Sequence, residues 1–299
     1  LFRGGLSLHP DRGLAGAPKR STLIFYGGLC LLTDVTPLIL VTNDDGVRSP
    51  GLAAAAEALA GLGDLLIVAP REQQTSTGRS YRREFTTAVS EEWIEVAGRR
   101  TLAFAVDGTP AQTVLLGLLQ IAPRTPALVV AGINYGENLG TGVTISGTIG
   151  ACLEAAASQV LGLAVSVETA LEHHYQPVAT VDFTIAKRWT RHFAARLLAH
   201  GLPSGVDILK VDVPASATWE TPWRLTRLSR QRYYQPVVRS GNPVNEKAIV
   251  GYYIGVDHAT LEPDSDIYAF TVERVVSVTP LTGDLTAPVS LSDLAARLR

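Results

Sequence analysis

The stretch LILVTNDDG, residues 38–46, decides the fold of this chain. It opens with an apolar, mostly β-forming run, which predicts a buried strand that ends in one Asn and two adjacent carboxylates. Gly46 permits a tight turn, and Ser49 followed by Pro50 predicts the start of a helix. Because open α/β folds bind ligands at the carboxyl edge of a parallel sheet, both acids are expected at a site.

The paired acids Asp44 and Asp45 have two interpretations. Adjacent carboxylates repel each other unless a cation lies between them or one of them is protonated. A hard divalent cation such as Mg²⁺, Mn²⁺ or Ca²⁺ relieves that repulsion. Alternatively, Asp44 caps the following helix and Asp45 is a solvated turn residue. This stretch alone does not separate the two.

Composition limits the function classes. The 299 residues fit one large domain or two small ones, and 26 Lys and Arg nearly balance 28 Asp and Glu. This balance gives no indication of a stable nucleic-acid partner or an anionic membrane. No apolar run approaches the roughly 20 residues of a membrane span. The two cysteines, Cys30 and Cys152, indicate neither a disulfide framework nor a zinc site. We expect a cytoplasmic protein.

Residues 1–34 are predicted to be an extension that contributes little to the fold. Lys19-Arg20 precedes the apolar stretch 21–32, which is typical of a weak signal peptide but lacks an A-x-A-like cleavage site. The chain contains no Met. We therefore expect the folded domain to span residues 35–299.

Alternating strand and helix patterns predict an α/β fold: a three-layer, Rossmann-like, mostly parallel sheet. Three predicted strands end in polar loops, at Asp44-Asp45, at Thr75 and at Asn134. Parallel order brings these ends to one edge, and their side chains all offer hard oxygen ligands. None of the six histidines lies in these loops, which disfavours zinc.

A helix is predicted to follow Ser146-Gly147-Thr148. Its free N–H groups and dipole suit a phosphate group. The small residues of this helix also fit close packing on a sheet, which is the structural explanation of the same composition.

The segment 222–256 is predicted to be an extended C-terminal β-hairpin arm. Its arginines alternate with Trp223, Tyr233 and Tyr234, a pattern that fits contact with a polyanion or stacking on bases. The outer face of an edge hairpin or a subunit contact explains the same pattern, and both interpretations stay open here.

Taken together, these motifs resemble the SurE family of metal-dependent phosphatases that act on nucleoside monophosphates. The resemblance covers the chain from about residue 35 to its C-terminus. The Asn-Asp-Asp-Gly string and the later Ser-Gly-Thr string are its most distinctive parts. The matching stretches are 41–47, 49–51, 68–70, 75–78, 108–110, 132–134, 138–140 and 146–148, with weaker matches at 211–214, 264–266, 276–281 and 284–286.

The resemblance implies a site and an assembly. One divalent metal ion per subunit, Mg²⁺ or Mn²⁺, is implied, together with a homodimer or homotetramer formed through the arm. Thr75 replaces the usual Ser and keeps the oxygen donor, whereas Arg71-Glu72 and Ile145 depart from the family pattern. The implied metal ligands are Asp44, Asp45, Thr75 and Asn134, and the implied phosphate-facing residues are Asn43, Asn138, Ser146, Gly147 and Thr148.

The predicted reaction is metal-assisted hydrolysis of nucleoside 5′-monophosphates, and also of 3′-monophosphates as an extension to test. Asp44 and Asn43 are the predicted catalytic residues, with Asp44 orienting or deprotonating the attacking water. The alternative from another class is a non-catalytic, Mg²⁺-binding receiver-like or nucleotide-binding module. A receiver would be about half this length and would carry a Lys on a late strand loop.

Overall fold

The structure is a computed structural model that describes residues 20–26, 29–82, 87–175, 180–240 and 249–299. Within those residues, most strands join one nine-stranded sheet, and the helices pack on its two faces. The strands in chain order are β1 (Arg20–Tyr26), β2 (Leu29–Val35), β3 (Leu38–Thr42), β4 (Asp64–Pro70), β5 (Val89–Val96), β6 (Arg99–Val106), β7 (Leu128–Tyr135), β8 (Leu161–Val167), β9 (Ile208–Val213), β10 (Trp223–Leu225), β11 (Tyr234–Ser240), β12 (Ile249–Ile254) and β13 (Val276–Leu281). The helices are α1 (Pro50–Leu59), α2 (Pro110–Leu116), α3 (Gly147–Ala157), α4 (Thr184–His200), α5 (Asp266–Thr271) and α6 (Leu291–Arg297).

The order of the large sheet is β10-β13-β9-β8-β7-β3-β4-β6-β5. Its six central strands, from β9 to β6, run parallel, whereas β13 pairs antiparallel with β9 and β5 pairs antiparallel with β6. The strand β3 lies between β7 and β4, so the three strands whose polar ends were singled out are adjacent. This confirms the predicted α/β class and brings the three ends to one edge.

The core has two halves because alternate side chains of a strand point to opposite faces of a sheet. On β3, Ile39 and Val41 join a buried cluster that includes residues of α1 and α4, whereas Leu40 joins a second cluster with residues of α2 and α3. All three side chains are fully buried. A continuous apolar run is therefore what this position requires, and the layers are helix, sheet and helix.

Side-chain caps start the helices that face the site. Ser49 Oγ accepts a hydrogen bond from Gly51 N at 3.2 Å, and Pro50 occupies the first position of α1. Ser146 Oγ accepts from Ile149 N at 3.2 Å at the start of α3. These caps satisfy backbone N–H groups that a helix cannot pair internally, and they fix where each loop turns into a helix.

The C-terminal hairpin is present, but its first predicted segment belongs elsewhere. The strands β11 and β12 pair antiparallel as a sheet of their own. The strand β10 instead pairs parallel with β13 at the edge of the large sheet, so the prediction of one arm from residue 222 is wrong. Trp223 packs edge-to-face on Phe193 of α4 at 5.6 Å, and Arg224 pairs with Glu273 at 2.7 Å. These contacts hold β10 against the body of the protein.

The segment before β3 contains a second small sheet. Its strands β1 and β2 pair antiparallel with each other, and the first nineteen residues lie outside the described part of the chain. That residues 1–34 contribute little to the fold stays a prediction. In the described residues, no helix has the length and apolar character that crossing a bilayer requires.

Candidate active site

The polar ends of β3, β4 and β7 meet at a cavity of about 550 Å³. Five of the predicted site residues line it: Asp44, Thr75, Asn134, Asn138 and Ser146. The four others, Asn43, Asp45, Gly147 and Thr148, lie behind this wall or beside it. Three loops that are distant in the sequence therefore supply one concave surface, as their parallel order predicts.

Asp44 is held against the start of α3. Its carboxylate is almost fully buried, and its Oδ1 accepts a hydrogen bond from Thr148 Oγ1 at 2.6 Å. A Cβ atom at position 147 would lie 2.7 Å from Asp44 Oδ2, so only glycine fits beside this acid. The predicted phosphate-facing residues Gly147 and Thr148 thus also position Asp44.

Asp45 lies next to the cavity rather than on its wall. It borders a neighbouring depression of about 430 Å³. Its Oδ1 accepts from Gln73 Nε2 at 3.2 Å, and its Oδ2 accepts from the backbone N of Tyr135 at 3.4 Å. Asp45 therefore joins the loop after β4 to the end of β7.

The electrostatics of the two acids are unfavourable without a cation. Burial raises the pKa of Asp44 to about 6, although the hydrogen bond from Thr148 opposes this. Burial and the charge of Asp44 raise the pKa of Asp45 well above its ordinary value. No Lys or Arg among the described residues forms an ion pair with either acid. A divalent cation would supply the missing positive charge.

The other predicted ligands suit the same ion. The amide nitrogen of Asn134 donates to the carbonyl of Gly136 at 2.6 Å, which leaves the amide oxygen as the group for a ligand. Thr75 lines the cavity in the loop after β4. Two carboxylates, a hydroxyl and an amide oxygen form a donor set typical of Mg²⁺ or Mn²⁺. The described residues contain no cluster of three or more His, Cys, Asp or Glu that fits a metal ion.

Asn43 stabilises the turn that follows β3. Its side chain is fully buried, and its Nδ2 donates to the carbonyl of Gly46 at 3.0 Å. Gly46 adopts a φ of 100°, so this bond fixes the turn that presents the acids. The amide does not line the cavity. Direct phosphate contact by Asn43 stays a prediction.

A buried ion cluster that the sequence did not indicate fixes the loop carrying Asn138. Lys210 Nζ contacts Asp212 Oδ2 at 2.5 Å and Asp266 Oδ2 at 3.2 Å, and all three side chains are fully buried. Asp212 Oδ1 accepts from Asn138 N at 2.7 Å, and Asp266 Oδ2 accepts from Gly140 N at 3.0 Å. The cluster thus clamps the backbone of the loop at two points.

An aromatic wall, formed by His174, Tyr234 and Tyr252, closes another part of the cavity. Tyr252 OH lies 2.9 Å from His174 Nδ1, and the rings of Tyr234 and Tyr252 are 5.2 Å apart. In the sequence, Tyr234 belongs to an arginine-rich stretch, and no local motif marks Tyr252 or His174. Their shared location depends on the hairpin folding back over the sheet edge.

Comparisons with known proteins match this architecture. A family model described as "Survival protein SurE" matches residues 39–235, which is more than half of the chain. The chain belongs to the SurE family. A relative called "5'-nucleotidase SurE" from Thermococcus kodakarensis is 38% identical over 258 residues, covering 86% of this chain and 96% of the relative. A relative of the same name from Methanocella arvoryzae is 42% identical and covers 85% and 94%.

A solved SurE structure also matches. The structure called "Crystal Structure of Sure Protein from Aquifex aeolicus" has a TM-score of 0.68 and 27% sequence identity. The match covers 88% of this chain and 100% of the other. The predicted SurE family and fold are thereby confirmed.

Proposed function

We propose that this SurE family chain is a metal-dependent phosphatase that hydrolyses nucleoside 5′-monophosphates to nucleoside and phosphate. The observation that carries the proposal is the pair of buried acids, without a cationic partner among the described residues, beside a cavity at the carboxyl edge of the sheet. The name of the similar proteins, 5'-nucleotidase SurE, supports the choice of substrate.

The metal would be held by the carboxylates of Asp44 and Asp45, the hydroxyl of Thr75 and the amide oxygen of Asn134. When bound, such an ion lowers the pKa of water and offsets the negative charge of the phosphoryl group. We propose Mg²⁺ or Mn²⁺, because every donor is a hard oxygen.

The start of α3 would hold the phosphate group. The hydroxyl of Ser146 accepts from Ile149 N, and that of Thr148 donates to Asp44. Both side chains are therefore engaged in hydrogen bonds within the protein. The backbone N–H groups of Gly147 and Thr148 bond Asp44, and that of Ile149 bonds Ser146 Oγ, so the contribution to the substrate comes from the helix dipole. The residues Ser146, Gly147 and Thr148 would therefore place the phosphate at the positive end of α3 and keep Asp44 beside it.

Asn138 can donate a hydrogen bond to the phosphate if the positions of its amide oxygen and nitrogen are exchanged. Its Nδ2 donates to Ser166 Oγ at 2.9 Å, which would turn the amide oxygen towards the phosphate. A serine hydroxyl both donates and accepts, so it can bond the amide oxygen instead and free the NH₂ group. We assign that orientation to the substrate-bound protein.

Asp44 is the residue we assign to orient the attacking water and accept its proton. Water adds to phosphorus, the bond to the ester oxygen breaks, and the departing nucleoside hydroxyl takes up a proton. Thr148 and Gly147 keep the carboxylate in place during these steps.

The test is phosphate release from AMP, GMP, CMP, 3′-AMP and glycerol 2-phosphate, with EDTA and after Mg²⁺ or Mn²⁺ is restored. We expect release that EDTA stops, and a loss on the order of a thousand-fold in kcat/KM for Asp45→Asn with an unchanged fold. Near-normal release by both Asp44→Asn and Asp45→Asn would contradict the mechanism. Metal binding without any phosphate release would instead favour a non-catalytic module.

We further propose that the hairpin mediates a homodimer or homotetramer. Val238, Ile249 and Tyr253 on β11 and β12 are more than half exposed, and exposed apolar patches of this kind mark protein–protein contacts. Light scattering of the full chain tests the proposal. A monomer at micromolar concentration would contradict it.

A further inference from the structure

The two predicted carboxylate ligands are held by different parts of the chain. Asp44 is bonded at the start of α3, by the hydroxyl and the backbone N–H of Thr148. Asp45 divides its oxygens between two other elements. Its Oδ2 accepts from the backbone N of Tyr135 at 3.4 Å, and its Oδ1 accepts from Gln73 Nε2 at 3.2 Å. The orientation of Asp45 therefore depends on a side chain of the loop after β4.

The bond from Gln73 turns one oxygen of Asp45 away from the other predicted ligands. Tyr135 follows the predicted ligand Asn134 directly in the chain, so Oδ2 of Asp45 lies on the side of the donor set. Oδ1 lies against Gln73, which borders the neighbouring depression of about 430 Å³ and not the cavity. Asp45 thus offers one oxygen, Oδ2, to an ion beside the cavity.

The amide of Gln73 has a fixed orientation. Its Nε2 also donates to the carbonyl of His174 at 2.7 Å, and a carbonyl accepts hydrogen bonds but cannot donate them. Both N–H bonds of the amide are therefore used, one on His174 and one on Asp45. Exchanging the amide nitrogen and oxygen would place two oxygens against each other at both contacts. Gln73 is thus held as a donor to Asp45.

The backbone that carries Gln73 is fixed by bonds that do not involve its side chain. Gln74 N donates to the carbonyl of Asp44 at 2.7 Å, and Val47 N donates to the carbonyl of Pro70 at 2.7 Å. These two bonds join the loop after β4 to the turn after β3. A substitution of the Gln73 side chain should therefore leave the loop in place.

The number of oxygens that Asp45 offers bears on the choice of ion. Ca²⁺ takes about six to eight oxygen ligands and accepts bidentate carboxylates, whereas Mg²⁺ requires a near-octahedral set of about six and keeps several waters. One oxygen from each predicted ligand leaves positions for water and substrate, which suits Mg²⁺ or Mn²⁺. A bidentate Asp45 would add a ligand and suit the larger Ca²⁺.

We propose that Gln73 is a positioning residue that keeps Asp45 monodentate and thereby makes the site select Mg²⁺ and Mn²⁺ over Ca²⁺. The inference rests on the metal site of the proposed function and adds its ion selectivity. Gln73 acts through Asp45 Oδ1 rather than as a ligand. Loss of the amide lets the carboxylate turn about its terminal torsion, so that both oxygens can serve a larger ion.

The test is a calorimetric titration of Mn²⁺ and of Ca²⁺ into the metal-free full chain, for the wild type, Gln73→Met, Gln73→Ala and Gln74→Met. Methionine keeps the length of the side chain and removes its donor, and alanine provides a second, smaller replacement. Gln74 is the matched control, because its amide bonds the carbonyl of Glu72 and the side chain of Arg82 at exposed contacts. A thermal melt in EDTA monitors the folding of each variant.

A competition experiment gives the selectivity independently. Ca²⁺ is added to the Mn²⁺-loaded protein, and the paramagnetic resonance signal of free Mn²⁺ reports its displacement. The readout is the ratio of Kd for Ca²⁺ to Kd for Mn²⁺.

We expect the wild type to bind Mn²⁺ more tightly than Ca²⁺. Gln73→Met and Gln73→Ala should lower the ratio by about 10- to 100-fold, the range for losing a hydrogen-bond partner of a metal ligand. The Kd for Ca²⁺ itself should fall, whereas a site that is merely loosened would bind both ions more weakly. Gln74→Met should leave the ratio unchanged.

An unchanged ratio in both Gln73 variants, or a parallel loss of affinity for both ions, would overturn the inference while the phosphatase proposal stands. A wild type that binds Ca²⁺ as tightly as Mn²⁺ would overturn it as well. If the ions bind as expected but no phosphate ester is hydrolysed, the role of Gln73 holds and the proposed function fails. A wild type that binds neither ion would refute both.

Discussion

Two pairs of buried carboxylates contact the segment that contains Asn138: Asp45 accepts from Tyr135 N, and Asp212 accepts from Asn138 N. Asp212 and Asp266 are fully buried, and Lys210 lies between them at 2.5 and 3.2 Å. Asp44 and Asp45 are nearly as buried, but their hydrogen-bond partners are a hydroxyl, an amide and backbone N–H groups. The first pair carries its own cation, whereas the second has none among the described residues.

This difference separates a structural use of buried charge from a functional one. Burial alone would lower the pKa of Lys210, but its two carboxylates outweigh this and raise it, so the cluster is a charged clamp. At Asp44 and Asp45, burial raises both pKa values, and no neighbouring cation lowers them. Two adjacent buried carboxylates without an internal cation form a site that can bind a cation from solution.

The largest expected effect comes from removing the internal cation. Lys210→Met leaves Asp212 and Asp266 uncompensated, and breaking a buried pair in this way destabilises a protein by about 3–5 kcal/mol. Urea unfolding measures the change. The control is Lys187→Met, which breaks a half-exposed contact with Glu57 and should remove less than about 1 kcal/mol. Equal losses in the two variants would refute the distinction between clamp and surface pair.

Glu137 provides a third, single buried acid. Burial raises its pKa to about 7, and Tyr233, Tyr234, Glu168 and Arg274 surround it. The unfolded state loses this proton first, so stability falls as the pH rises from about 4.5 to about 7. Glu137→Gln should remove at most about 3 kcal/mol of this pH dependence. Urea unfolding of both proteins at pH 5 and pH 8 tests this. An equal change in the free energy of unfolding between the two pH values would contradict it.

The smallest effect has the opposite sign to that of Lys210→Met. In EDTA, Asp44→Asn should stabilise the protein by about 1–3 kcal/mol, because one of two adjacent buried charges disappears and the amide oxygen still accepts from Thr148. The raised pKa of Asp44 places this gain above about pH 6, and it should vanish below about pH 4. Unfolding at pH 8 and pH 4 measures it. A loss of stability at pH 8 would mean that the acids are not strained without metal.

The location of the acid pair was predictable because local rules determine it. A buried strand, a turn at Gly46 and a capped helix place Asp44 and Asp45 at the carboxyl edge. Parallel order then brings Thr75 and Asn134 nearby, as the cavity confirms. The role of Asn43 was less predictable, since its bond to Gly46 depends on the geometry of the turn.

The clamp and the aromatic wall depend on contacts between distant parts of the chain. Lys210 lies in a strand whose pattern predicts only burial, and its partner Asp266 is 56 residues further along. The strand β10 was predicted as part of the arm because local periodicity carries no information on its pairing with β13. Tyr252 and His174, 78 residues apart, carry no shared motif. The acid pair and its neighbouring oxygen donors were therefore more predictable from the sequence than the clamp and the aromatic wall.

The most direct test of the account is a calorimetric titration of Mn²⁺ into the metal-free protein, repeated with the Asp44→Asn/Asp45→Asn double variant. We predict one bound ion per wild-type chain and no detectable heat with the double variant. Failure of the wild type to bind Mn²⁺, or equal binding by the double variant, would contradict it.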